Sequence, residues 1–115
     1  MTVRRAEPTI WSAVAGAVGA PRIALVHGSL DRSAGLLKLS RRLDESFRVV
    51  RYDRRGYGRS NPHTGPFGIE HQVADLVGVL TAEAGRSVVV GHSYGGNVAL
   101  AAAQRRSDLV AGVVV

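Results

Sequence analysis

The sequence contains no cysteine in its 115 residues. A disulfide framework and a thiolate metal site are therefore both excluded. The four histidines are scattered along the chain, and none falls in a cluster of carboxylates that could form a metal site without thiolates. We expect a cytoplasmic protein with a compact core and without a metal or another cofactor.

Long hydrophobic runs are also absent, because Arg, Gly or His interrupts each apolar stretch early. A helix that spans a membrane needs about 20 consecutive apolar residues, so we expect no membrane-spanning segment. Residues 11–20 follow Arg4 and Arg5 and loosely resemble a signal peptide. Glu7 and Pro8 disturb the order of charge and hydrophobicity that a signal peptide has, so we interpret this segment as an early strand and turn.

Lysine is nearly absent, since Lys38 is the only lysine among 15 basic residues. The net charge of +6 and the pI near 11.0 raise nucleic acid as a partner. The arginines do not form a stripe interleaved with aromatic residues, however, so nucleic-acid binding is the weaker hypothesis. Many of them fall in pairs that we expect to lie on solvated faces: Arg4 and Arg5, Arg41 and Arg42, Arg54 and Arg55, Arg105 and Arg106.

The apolar residues that are present alternate between short runs and helical spacing. Four short runs are typical of strands buried on both faces; they span residues 22–27, 47–52, 87–90 and 109–115. Stripes at spacings of three and four indicate helices between them. The first helix starts near Ser33, which we predict as its N-cap. The second spans 69–80 and is closed by Gly85, and the third spans 95–106.

This alternation predicts an α/β fold, in which a mostly parallel sheet carries helices on both faces and a single domain covers residues 1–115. The last apolar run has no turn, cap or polar tail after it. An apolar strand left at a sheet edge invites aggregation. We therefore expect the domain to be partial.

A Gly-x-Ser-x-Gly motif, Gly91-His92-Ser93-Tyr94-Gly95, joins the third strand to the third helix. A strand that turns at once into a helix strains the central residue, and flanking glycines let the backbones pass without a Cβ clash. The motif predicts Ser93 as a nucleophile at a helix N-terminus, where the helix dipole favours negative charge. The backbone N–H of Tyr94 is the first candidate donor to an oxyanion.

A second oxyanion donor should come from the loop after the strand beside this turn. Gly28 follows the first strand and permits a tight turn. We predict the backbone N–H of Ser29 as the donor, with Leu30 as the alternative one position later. His27 is expected to order this loop by hydrogen bonding.

A polar, Gly-rich stretch from residue 53 to 66 follows the second strand and is long enough to be a functional loop. We interpret its first part, 53–60, as a structural turn in which a carboxylate and an Arg shape the rim of the site. Trp11 and Phe67 are expected to be packing residues rather than platforms for a substrate.

Taken in order, three motifs resemble the N-terminal half of the α/β-hydrolase superfamily: His27-Gly28, Asp53-Arg54-Arg55-Gly56-Tyr57-Gly58-Arg59-Ser60 and Gly91-His92-Ser93-Tyr94-Gly95-Gly96. The resemblance implies esterase-like hydrolysis of a small-molecule acyl substrate, with Ser93 as nucleophile and with Tyr94 and Ser29 as oxyanion donors. Residues 11–16 would be a remnant of the family's early antiparallel strands.

The resemblance also implies a triad acid and a triad histidine, which in this family follow later strands, beyond residue 115. Asp108 precedes its strand, whereas sites in such sheets lie at the carboxyl ends. His92 is too close to Ser93 in sequence, and His63 and His71 are weak substitutes. We expect an N-terminal fragment with little activity of its own. The alternatives are an inactive remnant and a basic nucleic-acid-binding module.

Overall fold

The computed structural model describes residues 1–6 and 10–115. Glu7 and Pro8, which argue against a signal peptide, lie outside the described residues. The strands and helices follow in chain order: β1 (Thr2–Ala6), β2 (Ile10–Ala15), β3 (Arg22–Val26), α1 (Leu37–Leu43), β4 (Arg48–Tyr52), α2 (Ile69–Leu80), β5 (Ser87–Gly91), α3 (Tyr94–Arg105) and β6 (Val110–Val114). Short 3-10 turns, Ser33–Leu36 and Gly58–Ser60, precede α1 and follow β4.

The described strands form one six-stranded sheet in the order β1-β2-β4-β3-β5-β6. The four strands β4, β3, β5 and β6 run parallel. At one edge of the sheet, β2 pairs antiparallel with β4, and β1 pairs antiparallel with β2. This order confirms the predicted mostly parallel α/β sheet. The segment predicted as an early antiparallel strand, 11–16, corresponds to β2. No hydrophobic run marks β1, because Arg4 and Arg5 lie within it.

Helices cover both faces of the sheet, as predicted. On one face, Val26 of β3 belongs to a core that includes Leu76 of α2 and Val98 of α3. On the other face, Leu25 packs in a smaller core with Leu43 of α1. Because successive strand residues point to opposite faces, Leu25 and Val26 belong to different cores. A strand that is buried on both faces therefore reads as a continuous apolar run.

Two predicted helix boundaries are wrong. Ser33 does not cap α1, because its hydroxyl accepts a hydrogen bond from Arg51 Nη1 at 2.9 Å and its N–H donates to Asp53 Oδ1 at 2.8 Å. The helix begins only after the 3-10 turn that contains Ser33, without a side-chain cap. Gly85 does not close α2 either, because the helix ends earlier, at Leu80. The glycine has φ +104° in the loop before β5.

The helices are short. The longest described helices, α2 and α3, have 12 residues each, and no helix among residues 1–6 and 10–115 is long and apolar enough to cross a membrane. A helix of this length spans about 18 Å, and a five-residue strand spans about 17 Å. α2 and α3 therefore match the length of the strands that they cover, and loops meet at the two ends of the sheet.

Candidate functional site

Three loops meet at one end of the sheet, because parallel strands place their carboxyl ends side by side. Val26 of β3 is aligned with Tyr52 of β4 and with Gly91 of β5. The N–H of His92 continues the pairing by donating to the Val26 carbonyl at 3.0 Å. The loops after β3, β4 and β5 therefore leave the sheet together, at the edge where ligand sites form in open α/β sheets.

Ser93 lies at the turn from β5 into α3. Its backbone has φ +56° and ψ −123°, a region that residues with a side chain normally avoid. Ser93 is exposed, and its side chain makes no capping hydrogen bond. A Cβ on Gly91 would collide with the backbone of Gly95, and a Cβ on Gly95 would collide with the Val26 carbonyl. The strained, glycine-flanked turn that the motif predicts is therefore present.

The two candidate oxyanion donors flank Ser93. Tyr94 is the first residue of α3, so its N–H has no acceptor within the helix. A Cβ on Gly28 would lie 3.1 Å from the Ser93 Cβ, which places the loop after β3 directly against the turn. Ser29 is exposed, and its N–H has no acceptor among the described residues. The alternative donor, Leu30, has φ +61° and an exposed side chain.

His27 is fully buried beneath this loop. Its Nε2 accepts the N–H of Arg54 at 2.9 Å, so its Nδ1 carries the proton and donates to the Gly28 carbonyl at 2.7 Å. Burial lowers the pKa of His27, and the bond to Gly28 opposes this effect only in part. The imidazole forms a hydrogen bond within the loop after β3, as predicted, and also joins this loop to the loop after β4, which was not predicted. Because both nitrogens are occupied, His27 is not available as a general base.

The 53–60 turn is held by buried hydrogen bonds. The carboxylate of Asp53 accepts the N–H of Ser33 at 2.8 Å and the N–H of Arg59 at 3.0 Å. The hydroxyl of Ser60 donates to the Asp53 carbonyl at 2.6 Å and accepts the N–H of Trp11 at 2.9 Å. These contacts support the structural interpretation of the turn. Trp11 is buried, as expected of a packing residue.

Arg54 and Arg55 are buried, which corrects the expectation that this arginine pair is solvated. Arg55 forms a two-point ion pair with Asp75 of α2, at 2.6 Å from Nε to Oδ2 and 2.8 Å from Nη2 to Oδ1. The Arg54 guanidinium instead lies 4.8 Å from the ring centroids of Tyr57 and Tyr94. Asp53 separates the pair from the predicted buried strand, and no pattern local to residues 54 and 55 indicates their burial.

A cavity of about 420 Å³ opens at this end of the sheet, and its lining includes Tyr94, the residue that follows Ser93. Ser29 and Tyr94, which carry the candidate oxyanion donors, line it together with Arg54, Tyr57 and Phe67. Phe67 is 49% exposed, so it belongs to the wall of the cavity and not to the core, contrary to the prediction. The cavity combines aromatic side chains, two arginines and the residues that carry the two candidate N–H donors, and its volume suits a small molecule.

No described histidine forms a hydrogen bond with the Ser93 hydroxyl. His63 lines the cavity, but its Nδ1 accepts the N–H of Gly65 at 3.0 Å. His71 is an exposed residue of α2. Asp108 lies just before β6, at the end of the sheet opposite the cavity, as the sequence indicates. The described residues therefore provide the serine and the N–H donors, without a base in contact with the serine.

Residues 23–115 match the model of the alpha/beta hydrolase family. The chain belongs to this family. It is 34% identical over 96 residues to 2-(acetamidomethylene)succinate hydrolase from Mesorhizobium japonicum, an alignment that covers 82% of this chain and 34% of that protein. It is 44% identical over 71 residues to epoxide hydrolase B from Mycobacterium tuberculosis, an alignment that covers 59% of this chain and 20% of that protein.

A solved member of the alpha/beta hydrolase family has the same arrangement of strands and helices. The enol-lactonase from Burkholderia xenovorans LB400 superimposes with a TM-score of 0.88 at 29% sequence identity, over 97% of this chain and 45% of the lactonase. This chain thus spans less than half the length of these relatives. The comparison confirms the α/β-hydrolase fold over that part of the family's length.

Proposed function

We propose that this chain carries the nucleophile and the oxyanion hole of a serine hydrolase that acts on small acyl substrates. The observation that carries the proposal is the geometry of Ser93, which is exposed in a strained turn between β5 and α3. Backbone strain of this kind persists where the position of a side chain matters. Membership in a hydrolase family and the adjacent cavity support the same assignment.

In the proposed reaction, the Ser93 Oγ attacks the carbonyl carbon of the acyl group and the carbonyl oxygen becomes an oxyanion. The N–H groups of Tyr94 and Ser29 stabilise this charge, and the N-terminus of α3 adds the positive end of its dipole. The leaving group departs, and water then releases the acyl group from the serine. The serine needs a base to take its proton, which the proposal assigns to a group outside the described residues.

The position of Ser93 favours acyl chemistry over covalent opening of an epoxide, although one relative is named an epoxide hydrolase. A serine that opened an epoxide would form an ether, which has no carbonyl carbon for water to attack. A serine that attacks an ester forms a new ester, which water can cleave with help from the same N–H groups. The site therefore supports hydrolysis of an ester through an acylated Ser93.

Replacement of Ser93 by Ala tests the proposal in the protein as its own cells make it. We expect the turnover of short-chain p-nitrophenyl esters to fall by at least about 10³-fold, because the nucleophile is lost. Ser107→Ala changes an exposed serine away from the cavity and should leave the rate unchanged. Turnover that survives in Ser93→Ala, or a folded wild-type protein without turnover, would contradict the proposal.

A further inference from the structure

Arg54, in the wall of the cavity, is a buried cation that forms no ion pair with any of the described residues. The residue is only 2% exposed. Its Nε donates to the side-chain oxygen of Gln72 at 3.3 Å, and its Nη1 donates to the His27 carbonyl at 3.5 Å. Both acceptors are neutral, and Nη2 has no acceptor among the described residues. A buried charge is normally paired with an opposite charge, and the Arg54 guanidinium has no such partner among the described residues.

The two buried carboxylates of this region bind other groups. Asp75 is engaged by Arg55 through both carboxylate oxygens. Asp53 accepts two backbone N–H groups, those of Ser33 and Arg59. Arg54, which lines the cavity, therefore forms no hydrogen bond with either of these carboxylates.

Two tyrosines hold the guanidinium in place. Its central carbon lies over the rings of Tyr57 and Tyr94, at 4.8 Å from each centroid. These contacts offset part of the cost of burying the charge, but they provide no acceptor for the N–H groups. Tyr94 thus contacts the guanidinium with its ring, while its backbone N–H is a candidate oxyanion donor. An anion bound at Nη2 would therefore lie beside the reacting carbonyl.

We propose that Arg54 binds a carboxylate of the substrate, so that the protein prefers acyl compounds that carry a negative charge near the scissile bond. The inference rests on the proposed function, because it concerns the substrate of the same site. It makes Arg54 the residue of the cavity wall that selects a negatively charged substrate. The substrate carboxylate is then the counterion of Arg54, with which no described carboxylate forms an ion pair. A charge-assisted hydrogen bond at a buried site gives a large preference over a neutral group.

Binding to the Ser93→Ala protein tests the inference without turnover. The probes are monomethyl glutarate, which carries one carboxylate and one ester, and dimethyl glutarate, which is neutral and has the same backbone. We expect the half-ester to bind at least about tenfold more tightly, and to shift the NMR signals of the Tyr94 N–H and the Arg54 side chain. Equal affinities for the two probes would overturn the inference, and this comparison needs no change at Arg54.

Charge variants locate the binding group. In the Ser93→Ala background, Arg54→Gln should abolish the preference for the half-ester, and Arg54→Lys should retain part of it because the charge remains. Arg42→Gln lowers the net charge equally at an exposed position of α1 and should preserve the preference. A preference that survives Arg54→Gln would overturn the inference. Ester turnover that does not depend on Ser93, together with an intact preference for the half-ester, would contradict the proposed function alone.

Discussion

At the scale of single residues, Ser93 combines an exposed hydroxyl with an unfavourable backbone. A residue with a side chain at φ +56° and ψ −123° costs about 1–3 kcal/mol relative to its relaxed conformation. Glycine adopts this region without that cost, so we predict that Ser93→Gly raises the free energy of unfolding by about 1 kcal/mol. Ser93→Ala keeps the Cβ and should not. Urea denaturation of the three proteins measures the difference, and equal stabilities would contradict the strain.

The strained turn at Ser93 and its flanking glycines could be predicted from sequence because the turn is local. Gly91, Ser93 and Gly95 are close in the chain, and the strand before them and the helix after them are evident from hydrophobicity. The burial of Arg54 could not be predicted in the same way. It depends on contacts with Tyr57 and with Tyr94, which is 40 residues later in the chain.

At the scale of elements, the position of α3 depends on Gly95, which faces the end of β3. A Cβ at this position would collide with the Val26 carbonyl and lie 2.7 Å from the His27 carbonyl. We predict that Gly95→Ala lowers the free energy of unfolding by about 2 kcal/mol, because the helix must move away from the sheet. Thermal or urea denaturation measures this loss.

Gly78→Ala in α2 is the matched control, since a Cβ there meets no atom within 4 Å. Alanine favours a helix over glycine, so this change should raise the free energy of unfolding by about 0.5–1 kcal/mol. If Gly95→Ala behaves like Gly78→Ala, the close approach of α3 and β3 does not limit the fold.

Glu83 joins the loop after α2 to the sheet. It accepts hydrogen bonds from Arg48 of β4 at 2.8 Å and from Arg4 of β1 at 3.0 Å. The Arg48 hydrogen bond is the main reason why the pKa of Glu83 falls to about 2, and Arg4 adds to the effect. Because folding depresses this pKa, the contribution to stability is present above the unfolded value near 4.5 and is lost as the pH falls towards 2.

We predict that Glu83→Gln lowers the free energy of unfolding by about 1 kcal/mol at neutral pH and has little effect near pH 2. Denaturation at a series of pH values measures this convergence. Glu45→Gln, at an exposed position after α1, should not change the pH dependence. A constant gap between wild type and Glu83→Gln at all pH values would contradict the assignment.

The parallel strands could be predicted because burial on both faces leaves continuous apolar runs. The strand β1 could not, because an edge strand with Arg4 in it is recognised only by its pairing with β2. The late start of α1 also has a tertiary cause. Ser33, which suits an N-cap by type, is instead bound by Arg51 and Asp53, residues that belong to β4 and the loop after it.

At the scale of the whole molecule, the two edges of the described sheet differ. β6 forms one edge, with Val114 54% exposed, and β1 forms the other, with Arg4 in its length. An apolar edge strand pairs with other chains, whereas charge on an edge prevents this. We predict that the 115-residue chain, expressed alone, associates with itself as its concentration rises.

Substitutions on the two edges test this prediction. Val114→Lys should shift the chain towards the monomer in sedimentation velocity, because the charge interrupts the apolar edge. Val3→Lys, at a half-exposed position of β1, is the control and should leave the association unchanged. A wild-type chain that stays monomeric at all concentrations would show that β6 does not mediate pairing.

The most direct test of the central claim is covalent labelling of Ser93 by a fluorophosphonate in a lysate of the cells that make the protein. The activated Oγ forms a bond to phosphorus and fluoride leaves, so the label marks a serine that acts as a nucleophile. We predict that mass spectrometry finds the adduct on the peptide that contains Ser93, and that Ser93→Ala abolishes it. A protein that is not labelled, or whose adduct lies on another serine, would contradict the claim.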